Sequence, residues 1–292
     1  MTTVKTAVFP VAGFGTCFLP ATKAMPKVLL PIVDRPLIQY AVDEAVACGI
    51  ENLVFVTGRG NSALEDYFDV NFELEETLKS RGNVTVAAEL EGLRLAPGQV
   101  TYVRQIDPLG LGHAVWCARN VVGDEPFAVL LADELILAKT PDLSTMLDIH
   151  AQHGGNVLLV DDVPDDETDR YGIITPGASL DGAIEVTDIV EKPALGTAPS
   201  NLAAIGRYIL DPSIMTQLES TETGSGGEIQ LTDALLASIG QLPFHAVQAA
   251  GDRFDCGSKV GFVNATIHAA LARDDMHAEM RQTIENLIEQ EL

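Results

Sequence analysis

A chain of 292 residues, 47% of them hydrophobic, can bury a large core, as one big α/β domain or as one domain with an appendage. Its 18 Lys and Arg face 42 Asp and Glu, a formal charge of −24. So acidic a surface repels nucleic acid and anionic lipid, which argues against a polynucleotide partner and leaves any phosphate ligand to be held locally by loops, lysines and a metal.

Met1-Thr2-Thr3-Val4-Lys5 has no secretory pattern, and no apolar run approaches membrane-spanning length. Cys17, Cys48, Cys117 and Cys256 are far apart and form no Cys-x-x-Cys pair, so a soluble cytoplasmic protein is expected. Thr6–Val11 reads as the first strand. It runs into a loop bearing Gly13 and Gly15, where missing Cβ atoms let backbone N–H groups approach an anion or a base. Lys27, fixed behind Pro26, can meet the same anion. A dinucleotide-binding fingerprint would need a third glycine where Phe18 stands, and Pro20 and Pro26 forbid the helix it opens, although Asp34 lies about where a ribose-binding acid would be. A glycine-rich turn with no ligand is the plainer alternative.

Leu37–Cys48 has helical spacing and ends at Gly49, a C-cap residue; Leu53–Thr57 is a strand and Asn71–Ser80 a helix. Val100–Arg104 is a strand that leads through Gln105 and Gly110 to a helix over Gly112–Asn120, and Gln105 can offer both donor and acceptor to a base edge. His113 at that helix start reads as structural. Phe127–Leu131, uniformly apolar, is expected to be a central strand. It ends in Asp133-Glu134, where a carboxylate can hold Mg²⁺ against phosphate oxygens or simply make an acidic turn. Leu143–Gln152 and Asn156–Asp161 continue the α-then-β rhythm. The sum is a mostly parallel sheet with helices on its faces.

After about residue 165 the strands shorten: Gly172–Thr175, Ile184–Val190 and Ala203–Tyr208. Glu191-Lys192 follows the second of these. Adjacent strand residues face opposite ways, so both reach one ligand only where the strand ends or bulges, as the Pro193 break allows; a solvated charge pair is the bland reading. Asp255 before Cys256-Gly257 brings another acid or is just a turn. Val260–Glu289 reads as two helices broken at Arg273–Asp275.

In their order, these motifs resemble the bacterial UTP–glucose-1-phosphate uridylyltransferases of the sugar-phosphate nucleotidyltransferase family. The likeness runs from Gly13-Phe14-Gly15-Thr16 and Leu19–Lys27 through Pro36–Tyr40, Gly110–Val115, Glu191-Lys192-Pro193, Gly206-Arg207-Tyr208 and Gly227–Ala234 to Asp255-Cys256-Gly257. It implies a Rossmann-like three-layer α/β sandwich with a mixed, mostly parallel central sheet. Residues 1–259 would form the catalytic domain, with a nucleotide part at about 1–140 and a smaller β-containing sugar-phosphate part at about 141–259. Residues 260–292 would be a C-terminal helical segment.

The resemblance further implies that UTP and glucose 1-phosphate become UDP-glucose and pyrophosphate, with Mg²⁺ as cofactor and a homo-oligomer, dimer or tetramer, as the assembly. Ala12, Gly13, Gly15, Thr16, Gln105 and Gly110 would bind the nucleotide. Lys27, Asp133 and Lys192 would be catalytic, and Asp133 and Asp255 would carry the metal. Glu134, Gly172, Glu191 and Lys192 would bind the sugar phosphate. Two positions depart from the pattern: Cys17 stands where the family loop has arginine, and Val28 where an acid usually follows Pro-Lys. A non-catalytic or weakly active regulatory paralogue is the alternative those departures leave open, and an oxidoreductase is the more distant one.

Overall fold

The computed structural model describes residues 3–221, 224 and 227–291; Met1 and Thr2 of the amino-terminal reading and Leu292 of the tail lie outside the described residues. The strands are, in chain order, β1 (Thr6–Pro10), β2 (Pro31–Ile32), β3 (Arg35–Pro36), β4 (Asn52–Thr57), β5 (Val100–Arg104), β6 (Phe127–Leu130), β7 (Glu134–Leu137), β8 (Asn156–Asp162), β9 (Gly172–Leu180), β10 (Ala183–Glu191), β11 (Leu202–Leu210), β12 (Phe244–Gln248) and β13 (Asp252–Asp255). Nine of them form one sheet in the order β5-β4-β1-β6-β11-β8-β12-β10-β9. Tracing the parallel and antiparallel ladders, seven strands share a direction, and β10 and β11 oppose them. The mixed, mostly parallel sheet expected from the sequence is therefore present.

The strand sequences explain the layers. In β1, Ala7 and Phe9 belong to one buried cluster, with Ile38 and Ala41 of the helix Leu37–Ala47 and Met146 of the helix Asp142–His153. Val8 belongs to the other, with Ala114 and Val115 of the helix Leu111–Cys117 and Leu235 of the helix Leu231–Ser238. Strand β6 divides likewise, Ala128 and Leu130 to one side and Phe127 and Val129 to the other. A period of two with both faces apolar requires a helical layer on each side. A third, smaller cluster joins Leu37, Leu135 and Cys256 to Ala265 and Ala269, so the helix Lys259–Leu271 packs on the antiparallel β7–β13 ladder.

The β9–β10 hairpin is longer than the sequence pattern suggested and turns through Asp181 (φ 48°) and Gly182 (φ 87°), an Asp-Gly pair in the left-handed region that a tight hairpin turn needs. At its other end β9 swings back to pair Ile173 with Ala203 of β11. This carries Gly172 and its ladder partner Glu191 toward β11, which lies next to β6. The helices Ser62–Phe68 and Val84–Gly92 were not legible in the sequence. The second begins Val-Thr-Val, residues that favour strands, and is held instead by packing on the helix Phe72–Ser80 and by ion pairs Lys79–Glu91 (2.7 Å) and Arg94–Glu75. Among the described residues no helix is long and apolar enough to cross a membrane.

Candidate active site

The loop after β1 and the loop after β5 face each other across a cleft of about 440 Å³, lined by Ala12, Gly13, Thr16, Gln105, Gly110 and Asp133 among others. Gly13 has open space where a Cβ would stand. Gly15 is left-handed (φ 60°), and a Cβ there would come within 2.9 Å of the Lys27 Cβ, so only glycine lets the lysine lie against the loop. The loop is anchored by Asn61 Nδ2 donating to the Val11 carbonyl (2.9 Å) and Thr22 Oγ1 donating to that of Gly15 (2.7 Å). Opposite, Gly110 (φ 102°) packs against Glu228 and Ile229, and Ile229 N donates to Leu109 O at 2.7 Å. Buried Gln105 donates through Nε2 to Gly110 O (3.0 Å), which fixes which end of its amide is which, and the same nitrogen lies 3.1 Å from His113 Nδ1. His113 thus has the structural task expected of it: it orients Gln105.

At the C-terminal end of β6, Leu131 to Glu134 form a turn into β7. The β7–β13 ladder sets Asp255 opposite Glu134, and Cys256 N donates to Asp133 O at 2.8 Å. The two aspartates consequently flank Gly257: Asp255 Oδ1 and Asp133 Oδ2 lie 2.8 and 3.7 Å from where its Cβ would be. Lys27 Nζ is 2.5 Å from Asp133 Oδ2 and Arg170 Nη2 2.5 Å from Asp255 Oδ2. Burial pulls the Lys27 ammonium down, but the charge of Asp133 and the hydrogen bond to it outweigh this and the net direction is up. Lys27 therefore stays protonated. Among the described residues no three His, Cys, Asp or Glu side chains converge as a closed metal cage. Two aspartates held only by displaceable cations and single hydrogen bonds instead suit a hard divalent cation that completes its shell with phosphate and water.

Glu191 ends β10, and Lys192 follows in the left-handed region (φ 45°), its N–H donating to Tyr171 O at 2.9 Å. That strained corner lets both side chains point one way, with Lys192 Nζ 3.4 Å from Glu191 Oε1. Thr232 Oγ1 donates to Glu191 Oε2 (2.7 Å), close to the Gly172 backbone. Burial first, then the charge of Glu191, pushes the buried Tyr208 phenol up. Tyr171 links the two ends of the site: its carbonyl accepts the Lys192 N–H, and its hydroxyl lies 3.5 Å from Asp255 Oδ2.

Glu134, expected to bind the sugar phosphate, is engaged by an arginine. Arg253 grips both its oxygens (Nε–Oε2 2.9 Å, Nη2–Oε1 3.0 Å) beneath the ladder. Burial raises the Glu134 carboxyl's pKa and the Arg253 fork opposes it. Val28 is buried in the core and takes no part in the cleft. Sequence reasoning did not assign Thr232, Arg170, Arg253 or Arg207. Only Arg207 carried a signal: a lone charge in the strand Leu-Ala-Ala-Ile-Gly-Arg-Tyr-Ile-Leu, apolar on both faces, demands a buried partner.

A phosphate-sized gathering of lysine, carboxylate pair and bare loop backbone at the strand ends of a doubly covered sheet defines a nucleotide-handling transferase. The chain belongs to the nucleotidyl transferase family, whose model matches residues 7–270. Over its whole length it is 46% identical to UTP–glucose-1-phosphate uridylyltransferase of Bacillus subtilis, covering 99% of that protein. The UTP-bound UDP-glucose pyrophosphorylase of Acinetobacter baumannii superposes with a TM-score of 0.89 at 43% identity, covering 97% of this chain and 99% of that one. A UDP-glucose pyrophosphorylase complexed with UDP-glucose gives 0.82 at 42% identity, covering 92% and 100%. The resemblance read from the motifs is borne out, and an inactive paralogue finds no support in these relatives.

Proposed function

We propose that this chain transfers uridylyl from UTP to glucose 1-phosphate, releasing pyrophosphate and forming UDP-glucose. The observation that carries the reading is the Asp133–Asp255 pair with Lys27 against it: Asp133 lines the cleft of the two loops, and Tyr171 connects Asp255 to the Glu191–Lys192 corner. Residues 1–140 would supply the base and triphosphate contacts, and residues 141–259 those to the sugar phosphate. With Gln105 Nε2 engaged by Gly110 O, its Oε1 accepts the N3–H of uracil, which cytosine lacks. The backbone of Ala12, Gly13, Gly15 and Thr16 gives close approach to base and phosphates.

Glu191 and the Gly172 backbone receive glucose hydroxyls, and Lys192 the phosphate. That phosphate's oxygen attacks the α-phosphorus in line; the bond to pyrophosphate breaks, and Lys27 meets the charge that builds on the phosphate oxygens. No protein nucleophile takes part. Asp133 and Asp255 are the residues that would hold Mg²⁺, which when bound neutralises phosphate charge as a Lewis acid. The helix His277–Glu291 is exposed along nearly all its length, including Leu287 and Ile288, and in a homo-oligomer a second copy covers it. Coupled pyrophosphate detection with UTP, Mg²⁺ and glucose 1-phosphate tests the reading: turnover is expected, lost on adding a chelator and in Asp133→Asn, and absence of turnover in the unmodified chain rejects it.

A further inference from the structure

Both carboxylates proposed to carry the metal are held by a cation, and the two cations come from opposite sides. Lys27 reaches Asp133 from the nucleotide loop. Arg170 reaches Asp255 from the turn Asp165–Arg170, which leads directly into Tyr171 and Gly172. Its other contacts are modest: Nη1 is 3.2 Å from Glu167 Oε2, and the guanidinium lies 5.4 Å from the centre of the Tyr171 ring. The side chain is 43% exposed, so nothing in the packing fixes it there.

Arg170 occupies one oxygen of the carboxylate that an incoming ion would share. Asp255 Oδ1 accepts the Gly257 N–H at 2.8 Å, while Oδ2 carries Arg170 at 2.5 Å and the Tyr171 hydroxyl at 3.5 Å, so a divalent ion that binds Asp255 arrives beside a guanidinium. A guanidinium and a divalent cation at one oxygen repel strongly at such range, so Arg170 must move when the ion enters. The nearest demand for a planar fork of donors is then a phosphate. The neighbouring chain points to which one: the Tyr171 carbonyl accepts the backbone N–H of Lys192, so the segment that carries Arg170 runs directly alongside the one that carries Lys192. Resting on the uridylyltransferase reading, we propose that Arg170 is a phosphate-binding side chain: it leaves Asp255 when the divalent ion enters and, with Lys192, binds the phosphate of the incoming sugar 1-phosphate.

Two measurements on the full chain test this, with Arg170→Gln and Arg170→Lys. In Mn²⁺ titrations followed by electron paramagnetic resonance without substrate, Arg170→Gln should bind the ion about two- to fivefold more tightly, because an exposed ion-pair competitor has gone. In steady-state kinetics the same variant should raise KM for glucose 1-phosphate about tenfold, the scale of one charge-assisted hydrogen bond, and leave KM for UTP within about twofold. Arg170→Lys should recover part of that loss. A purely structural pin predicts weaker metal binding and both KM values rising together; either result, or no change in either measurement, overturns the proposal. An unmodified chain without turnover would reject the uridylyltransferase reading itself, while the Mn²⁺ titration still reads the exchange at Asp255.

Discussion

Cys17 lies exposed in the loop that carries Gly13 and Gly15, close enough to Lys27 to affect its charge. A thiol offers neither the fixed charge nor the two-pronged donor set of the arginine that the related motif has there. Cys17→Arg should therefore lower KM for UTP by about tenfold, one charge-assisted hydrogen bond at the low end of its usual worth, as initial rates against UTP concentration would reveal. Val28, the other departure, has a different explanation. It packs beneath the first strand with Val11 and Ile38, so an apolar residue serves the core and costs the cleft nothing. Single residues thus divide by what surrounds them, and only the folded chain tells the two departures apart.

At the scale of elements, Arg207 of β11 ties three segments together. Its guanidinium donates to Glu44 on the helix Leu37–Ala47 (Nε–Oε2 2.9 Å) and to the carbonyls of Leu131 (2.9 Å) and Glu134 (3.0 Å). Those two carbonyls bracket Asp133, so the turn that presents its carboxylate is clamped from one side. Arg207→Met would leave Glu44 buried without its partner and should destabilise the chain by about 3–5 kcal/mol in urea unfolding. Arg207→Met with Glu44→Leu should recover much of this, because no unpaired charge remains. A second element-scale device is the tilted pair of rings His153 of the helix Asp142–His153 and His245 of β12, ring centres 4.9 Å apart and planes at 39°. Burial first, then His153, lowers the His245 pKa, against a smaller opposing effect of Glu185. The unfolded chain then binds the proton more tightly, so stability is full above the ordinary histidine value of about 6.5 and falls as pH drops below it. Thermal unfolding between pH 8 and 5 should show that loss, and His245→Phe should flatten it.

Over the whole molecule, a charge of −24 leaves few cations, and two of them, Lys27 and Arg170, sit on the Asp133–Asp255 pair. The acidic remainder carries exposed apolar residues on its C-terminal helix, Leu287 and Ile288 among them. If a second copy covers that helix, replacing Leu287 and Ile288 together with lysine should shift the mass measured by light scattering from oligomer to monomer without loss of secondary structure.

Asp133 was legible because it ends a strand buried on both faces, and Glu191 with Lys192 because Pro193 breaks the strand behind them. The alternation of β1 and β6 likewise determined the layered fold, since apolar side chains on both faces need cover on both. What the chain's order could not reveal was partner choice. Whether Glu134 faces sugar or Arg253, and whether Arg170 meets Asp255, depends on the β7–β13 ladder and on β9 returning to β11. Those pairings join residues far apart in the chain, and no local spacing encodes which distant carboxylate a guanidinium will find. Sequence alone determined the layers and the residue types at the strand ends; tertiary structure decided which charges meet, because a charge-assisted hydrogen bond needs atoms within about 3 Å and only the closed fold sets that distance.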